Sequence, residues 1–203
     1  MSPNDWEECF LLHQRSYGDT SIIAEIFTRK SGKMSVIARG AKKPKSKFFG
    51  YLVPFSKLQI TYSGRSELKT LTNIDRDLSL IDNNLSKKSY SLLYINELMI
   101  KLLPKDAANE DLFNLYSNFI EASVKEIDMR FLLRSFELDL LDMLGYGINF
   151  QTDIDAHEPI EAALDYIFIA ERGFKTSNKD SDFSGQDIIC LLYTSPSPRD
   201  VEE

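Results

Sequence analysis

Two cysteines in 203 residues, Cys9 and Cys190, supply neither a disulfide framework nor a metal-ligand spacing. Histidine is as scarce. His13 and His157 lie far apart in the chain, which gives poor support to a nucleophile–base pair. No apolar run approaches the roughly 20 residues that a membrane span needs. The first residues also lack a signal peptide's basic start and apolar stretch, so a soluble, cytoplasmic chain with no membrane partner is expected. A phosphate-cradling glycine loop, a zincin motif and a Gly-x-Ser-x-Gly elbow are all missing. Nothing argues for an enzyme, and no catalytic residue, cofactor or metal is expected. The composition is otherwise that of an ordinary globular protein, 43% hydrophobic and 27% charged, and long enough for one domain or two small ones.

What the chain does have is polarised charge. Residues 1–69 hold twelve Lys/Arg against six Asp/Glu, a balance of +6, whereas the whole chain carries −7. The focus is Arg39-Gly-Ala-Lys-Lys-Pro-Lys-Ser-Lys47, five cations in nine positions. One cationic surface on an acidic molecule fits a phosphate backbone.

Up to about residue 82 the pattern is β. The runs starting at Cys9, Ser21, Met34, Leu58 and Leu68 are short, β-branched and partly alternating, with turn signals at Gly18, Gly32, Gly40 and Gly64 between them. Five short strands in so few residues suggest a small closed or partly open barrel. Helical spacing then takes over. Leu85 to Leu103 stops before Pro104, Asn109 to Ile127 opens on an N-cap and an acidic first turn, and Met129 to Leu144 ends at Gly145. Ala163 to Lys175 reads as a strand or hairpin with Gly173 at its bend, and Ser184 as the N-cap of a further helix. The expected class is α+β, an N-terminal barrel over residues 1–82 followed by a mainly helical domain over 83–189.

Residues 190–200, Cys-Leu-Leu-Tyr-Thr-Ser-Pro-Ser-Pro-Arg-Asp, resemble the translated end of a transposon-type sequencing adapter. Residues 190–203 are therefore expected to be artefactual, with the natural C-terminal portion missing.

Lys42, Lys43, Lys45 and Lys47 fall in a loop where Gly40 and Pro44 oppose regular structure. A flexible cationic loop can follow irregular phosphates and release their counterions. Arg39 ends one strand, and Arg65 and Lys69 flank the next turn, where a barrel could bring them beside the loop. Of Phe48, Phe49, Tyr51 and Phe55, some could stack bases, although core packing is the simpler use. His13 reads as a half-buried strand-end residue. The loop Asp153-Ile-Asp-Ala-His-Glu158 reads as solvated, and Glu137, Asp139 and Asp142 as surface positions.

Taken in order, several stretches resemble the RecO family of bacterial recombination mediators. They include Leu12-His-Gln-Arg-Ser-Tyr-Gly-Asp-Thr-Ser21, Phe27-Thr-Arg-Lys-Ser-Gly-Lys33, Ile37-Ala-Arg-Gly-Ala-Lys42 and Leu52-Val-Pro-Phe55. Gly64-Arg-Ser-Glu-Leu-Lys-Thr-Leu71, Leu93-Tyr-Ile-Asn-Glu-Leu98, Leu133-Arg-Ser-Phe-Glu-Leu138 and Leu144-Gly-Tyr-Gly-Ile-Asn-Phe150 extend the likeness over residues 6–189. The resemblance implies an OB-fold followed by a helical domain in a nucleoid-associated bacterial protein. The implied activity is non-catalytic: binding single- and double-stranded DNA, annealing complementary strands, and helping RecA load, with RecR, where single-stranded-DNA-binding protein (SSB) covers the strand. The family's basic residues fall on Arg39 and Lys42, with Lys43, Lys45 and Lys47 continuing the patch. Its contact for the acidic SSB tail falls on Arg134. A surface ion pair with Glu137 is the plainer use of that arginine. Many relatives carry a four-cysteine zinc module after the Gly-Tyr stretch. Residues 151–159 here contain no cysteine, so zinc is not expected. A plain single-strand binder and an adaptor gripping an acidic protein remain the alternatives.

Overall fold

The structure, a computed structural model, describes residues 5–76, 88–177 and 181–194. It forms two compact units, Met1–Glu126 and Ile127–Glu203.

In the first unit five strands close into a barrel: β1 (Glu7–Tyr17), β2 (Ser21–Thr28), β3 (Gly32–Ala38), β4 (Lys57–Ser63) and β5 (Leu68–Arg76). Their order is β1-β2-β3-β5-β4, antiparallel except for the β3–β5 pair, and β4 closes the ring on β1. This is the OB-type barrel that the resemblance implied. Cys9, Leu11, Ala24, Ile26, Val36, Leu58 and Ile60 fill its interior. The Cys9-Phe-Leu-Leu12 run is continuous rather than alternating because both faces of β1 are buried. Phe10 stands opposite Phe27, and both rings pack on Phe113, at 5.4 and 5.6 Å between centroids.

Phe113 belongs to α2 (Glu110–Ser123), which follows α1 (Ser89–Leu102). Asn109 caps α2 as its sequence predicts, its side chain accepting from the Leu112 N–H at 3.0 Å. The expected start of α1 at Leu85 lies outside the described residues. Asn96 of α1 is buried, and its Nδ2 donates to the Leu12 carbonyl at 2.8 Å, where the β1–β2 register shifts between Leu11 and His13. His13 is exposed rather than half-buried. Past the bulge β1 no longer lines the core, and its last five residues are all exposed. Gly32 has φ +75, and a Cβ there would lie 2.2 Å from the Ala107 carbonyl oxygen, so only glycine admits that close approach.

The second unit contains α3 (Met129–Met143), a three-stranded sheet and α4 (Gly185–Thr194). The sheet runs β7 (Gly173–Thr176), β6 (Asp165–Ile169), β8 (Phe183–Ser184), so the expected hairpin gains a third strand. Tyr166, Phe174, Ile160 and Ile188 form its core. Ser184 caps α4, its Oγ accepting from the Asp187 N–H at 3.1 Å. The loop before the sheet is not simply solvated: Asp153 is buried. Its Oδ1 accepts from the N–H groups of Asp155 and Ala156, its Oδ2 from the N–H and hydroxyl of Thr176. The α3 acids also differ from the surface expectation. Asp142 is exposed, but Glu137 and Asp139 are half-buried, and burial pushes the Asp139 carboxyl above the usual range.

Candidate nucleic-acid interface

Residues 39–51 are a string of reverse turns rather than a flexible loop. N–H groups of Lys43, Ser46, Phe49 and Tyr51 donate to the carbonyls of Gly40, Lys43, Ser46 and Phe48 at 2.9–3.2 Å. Ala41, Phe48 and Leu52 are the anchors, buried in the barrel core, and the intervening lysines are left at the surface. The Lys42 N–H donates to the Thr20 carbonyl at 2.9 Å and its ammonium to the Gly18 carbonyl at 3.2 Å. These bonds tie the basic turns to the β1–β2 turn.

An open cleft of about 790 Å³ lies at that junction. Arg39 and Lys43 line it, with the hydroxyl residues Thr20, Ser21, Ser66 and Thr70 and the ring of Tyr17. Register explains the convergence. Ile22 pairs with Ala38, which sets Ser21 beside Arg39, and parallel β5 sets Thr70 opposite Ile37. Two cations and several hydroxyls, with no acidic side chain among the described lining residues, make a site able to hold a phosphodiester.

The other basic residues are distributed around this cleft rather than gathered in it. Lys45 is exposed on the turns. The Lys47 ammonium donates to Asn73 Oδ1 at 3.0 Å and lies 5.4 Å from the centre of the Phe48 ring. Arg65 is exposed in the turn beside the cleft-lining Ser66. Lys69 stands opposite Val36 and does not line the cleft. The aromatic residues divide: Phe48 and Phe55 are core, whereas Phe49 and Tyr51 are 51% and 39% exposed.

Three cations of the basic half serve the fold instead. Lys33 is buried, its ammonium donating to the Ile100 carbonyl, and burial lowers its pKa. Lys57 pairs with Glu8 at 3.3 Å. Arg29 reaches Glu8 at 2.8 Å and Glu110 at 3.1 Å over the face of Phe113, and these carboxylates outweigh burial and raise its pKa. Sequence reasoning did not single out Tyr17 or the cleft hydroxyls. Their signal was faint, a polar turn between two strands whose pairing alone brings it to Arg39.

Arg134 lies on α3, 55% exposed, with its guanidinium 2.9 Å from the Glu137 carboxylate. Among the described residues no group of three His, Cys, Asp or Glu side chains could hold a metal ion. No described helix is long and apolar enough to cross a membrane.

Residues 1–76 match the family model described as Recombination protein O N terminal, and residues 86–182 match Recombination protein O C terminal. The chain belongs to the RecO family. Curated RecO relatives agree along nearly the whole chain. The protein named DNA repair protein RecO in Psychromonas ingrahamii is 34% identical over 196 residues, which are 95% of this chain and 84% of the relative. That of Hamiltonella defensa is 38% identical over 190 residues, 92% and 80% of the two chains. A Haemophilus influenzae relative of the same name is 36% identical over 185 residues, 90% and 78%. The barrel with its basic turns thus coincides with the RecO N-terminal match, and Arg134 lies within the C-terminal one.

Proposed function

We propose that this RecO-family chain is a non-catalytic DNA repair and recombination mediator. It holds DNA on the basic turns and cleft of its barrel and anneals complementary single strands. With RecR it assists RecA loading on SSB-coated strands. The observation that carries this reading is the convergence of Arg39 and Lys43, with several hydroxyl residues, on one cleft of an OB-type barrel. Annealing needs two like-charged strands held close together. A patch of Arg39, Lys42, Lys43, Lys45, Lys47, Arg65 and Lys69 lowers their repulsion without reading bases, so weak sequence preference is expected. Arg134 serves as the contact for the acidic SSB tail, because an exposed guanidinium can take a terminal carboxylate in bidentate form. Its present pair with Glu137 joins an exposed guanidinium to a half-buried carboxylate within one helix, and an incoming carboxylate can compete with it.

That same ion pair favours one alternative, a plain single-strand binder in which Arg134 merely pairs along its helix. Annealing assays on naked and SSB-coated complementary strands separate the two. For the mediator, Lys42→Glu/Lys43→Glu loses annealing on both substrates, and Arg134→Ala loses it only on coated strands. Unchanged annealing of coated strands by Arg134→Ala supports the plain binder. Full activity of the lysine variant would overturn the assigned DNA site.

A further inference from the structure

The basic turns end in a second recess whose chemistry differs from that of the cleft. Phe49, Gly50 and Tyr51 line it together with Asp75 and Arg76 at the end of β5, enclosing about 320 Å³. Among the described residues it is lined by one acid and one base, whereas the cleft is lined by two bases and no acid. A phosphate entering the recess would meet Asp75, so the charges disfavour a backbone anion there. Two aromatic rings beside a carboxylate and a guanidinium suit a flat heterocycle with hydrogen-bonding edges. The rings offer stacking surface, the carboxylate accepts from an amino or imino edge, and the guanidinium donates to a carbonyl or ring nitrogen.

The backbone keeps those rings in place. Gly50, with φ +76, turns the chain so that the residues on both sides of it line one recess, and apart from those two neighbours no described atom lies within 4 Å of where its Cβ would stand. Phe48 and Leu52, which flank the segment, are buried in the barrel core. Phe49 and Tyr51 therefore stay exposed on a fixed backbone instead of collapsing onto apolar surface. The Asp75 carboxylate accepts from the N–H of Arg76 at 2.9 Å through one of its two oxygens.

One cation, Lys47, lies close to the recess without lining it. The Lys47 ammonium is held on Asn73. Asn73 and Asp75 are alternate residues of β5 on one face of the strand, roughly 6–7 Å apart. We propose that the recess of Phe49, Tyr51, Asp75 and Arg76 takes one unstacked nucleobase of single-stranded DNA, with Lys47 on the adjoining phosphate. The inference rests on the DNA-binding reading above and adds to it a means of telling single from double strands. In a duplex each base is covered on both faces and cannot enter.

The test compares the full chain with Phe49→Ala/Tyr51→Ala on three fluorescent ligands: an oligothymidylate, an abasic oligonucleotide of the same length, and a duplex. Both rings are exposed, so an unchanged thermal midpoint is expected of the variant, and the ring-retaining variant Phe49→Tyr/Tyr51→Phe serves as the second. The alanine variant should bind the oligothymidylate about tenfold more weakly, with the abasic strand, the duplex and the salt slope unaffected. The ring-retaining variant should bind as the natural chain does. Equal losses on abasic and base-bearing strands, or no loss on either, would overturn the recess and leave the basic cleft standing. Failure of the natural chain to bind any of the three would overturn both readings.

Discussion

Asn96 is where α1 is keyed to the barrel. Asn96 Nδ2 meets the Leu11 and Leu12 carbonyls at the β1 bulge, at 3.5 and 2.8 Å. Asn96 Oδ1 in turn accepts from the buried Tyr116 hydroxyl, whose ionisation burial suppresses. Asn96→Leu leaves both carbonyls and that hydroxyl without this partner, and a loss of about 2–4 kcal/mol is expected in urea unfolding. Adding Tyr116→Phe should cost clearly less than its single-variant loss, since the hydroxyl has already lost its acceptor. Strict additivity would mean that the two groups are not coupled. Asp153 plays the corresponding part in the second unit. Burial opposes its charge, but hydrogen bonds from Ala156, Thr176 and Asp155 outweigh this and hold the carboxyl well below the usual range. A depressed carboxyl contributes stability that is complete above its unfolded pKa of roughly 3.9 and is lost as pH falls through the folded value. The unit containing β6–β8 should therefore lose stability below about pH 4. Asp153→Asn should flatten that acid dependence and cost about 2–3 kcal/mol at neutral pH, because an amide NH₂ must then face an N–H donor. Amide exchange of Thr176 against pH reads both effects.

At the scale of elements, local signals and neighbours divide the work. The cap of α2 is local, and Asn109→Ala should lower stability by about 1 kcal/mol, read as a shift of the urea midpoint with unchanged slope. The strands of the barrel were legible as short β-branched runs between glycines, and β2 starts where its pattern indicates, at Ser21. The outer half of β1 was not. Residues 13–17 carry little apolar signal and are strand only because β2 pairs with them. The basic segment reverses the lesson. Its glycine and proline read as flexibility, yet each turn closes on a backbone bond and Ala41, Phe48 and Leu52 enter the core. Small apolar residues between lysines give little periodic signal, because their burial depends on a barrel end that exists only after folding. Among the residues of the candidate site, Arg39 and the lysines were singled out by charge density alone. Tyr17, Ser21 and Thr70 were not, since the β2–β3 and β3–β5 registers bring them to the cleft.

Over the whole molecule the charge asymmetry outlasts folding. Arg29, Lys33 and Lys57 are drawn into structural pairs, and Arg39 with the lysines of the turns remains at the surface. On the proposed function, single-strand affinity should fall linearly on a log–log salt plot, by about 0.7 in slope for each phosphate neutralised. Lys42→Glu/Lys43→Glu should make that slope shallower by roughly one or more. Binding that ignores salt, measured by fluorescence anisotropy, would remove the electrostatic basis of the proposal.

The sequence by itself determined the class, the family and the sign of the surface. Strand and helix periodicity, caps and net charge are properties of short stretches, and short stretches carry them into any fold. Only the tertiary structure decided which cations serve the surface and which the interior. It also made Asp153 a buried knot rather than a solvated acid, and it brought Arg39, Lys43 and the hydroxyls of two strands and two turns to one cleft. Those outcomes depend on strand register and burial, which join residues distant in sequence and leave no local pattern to read.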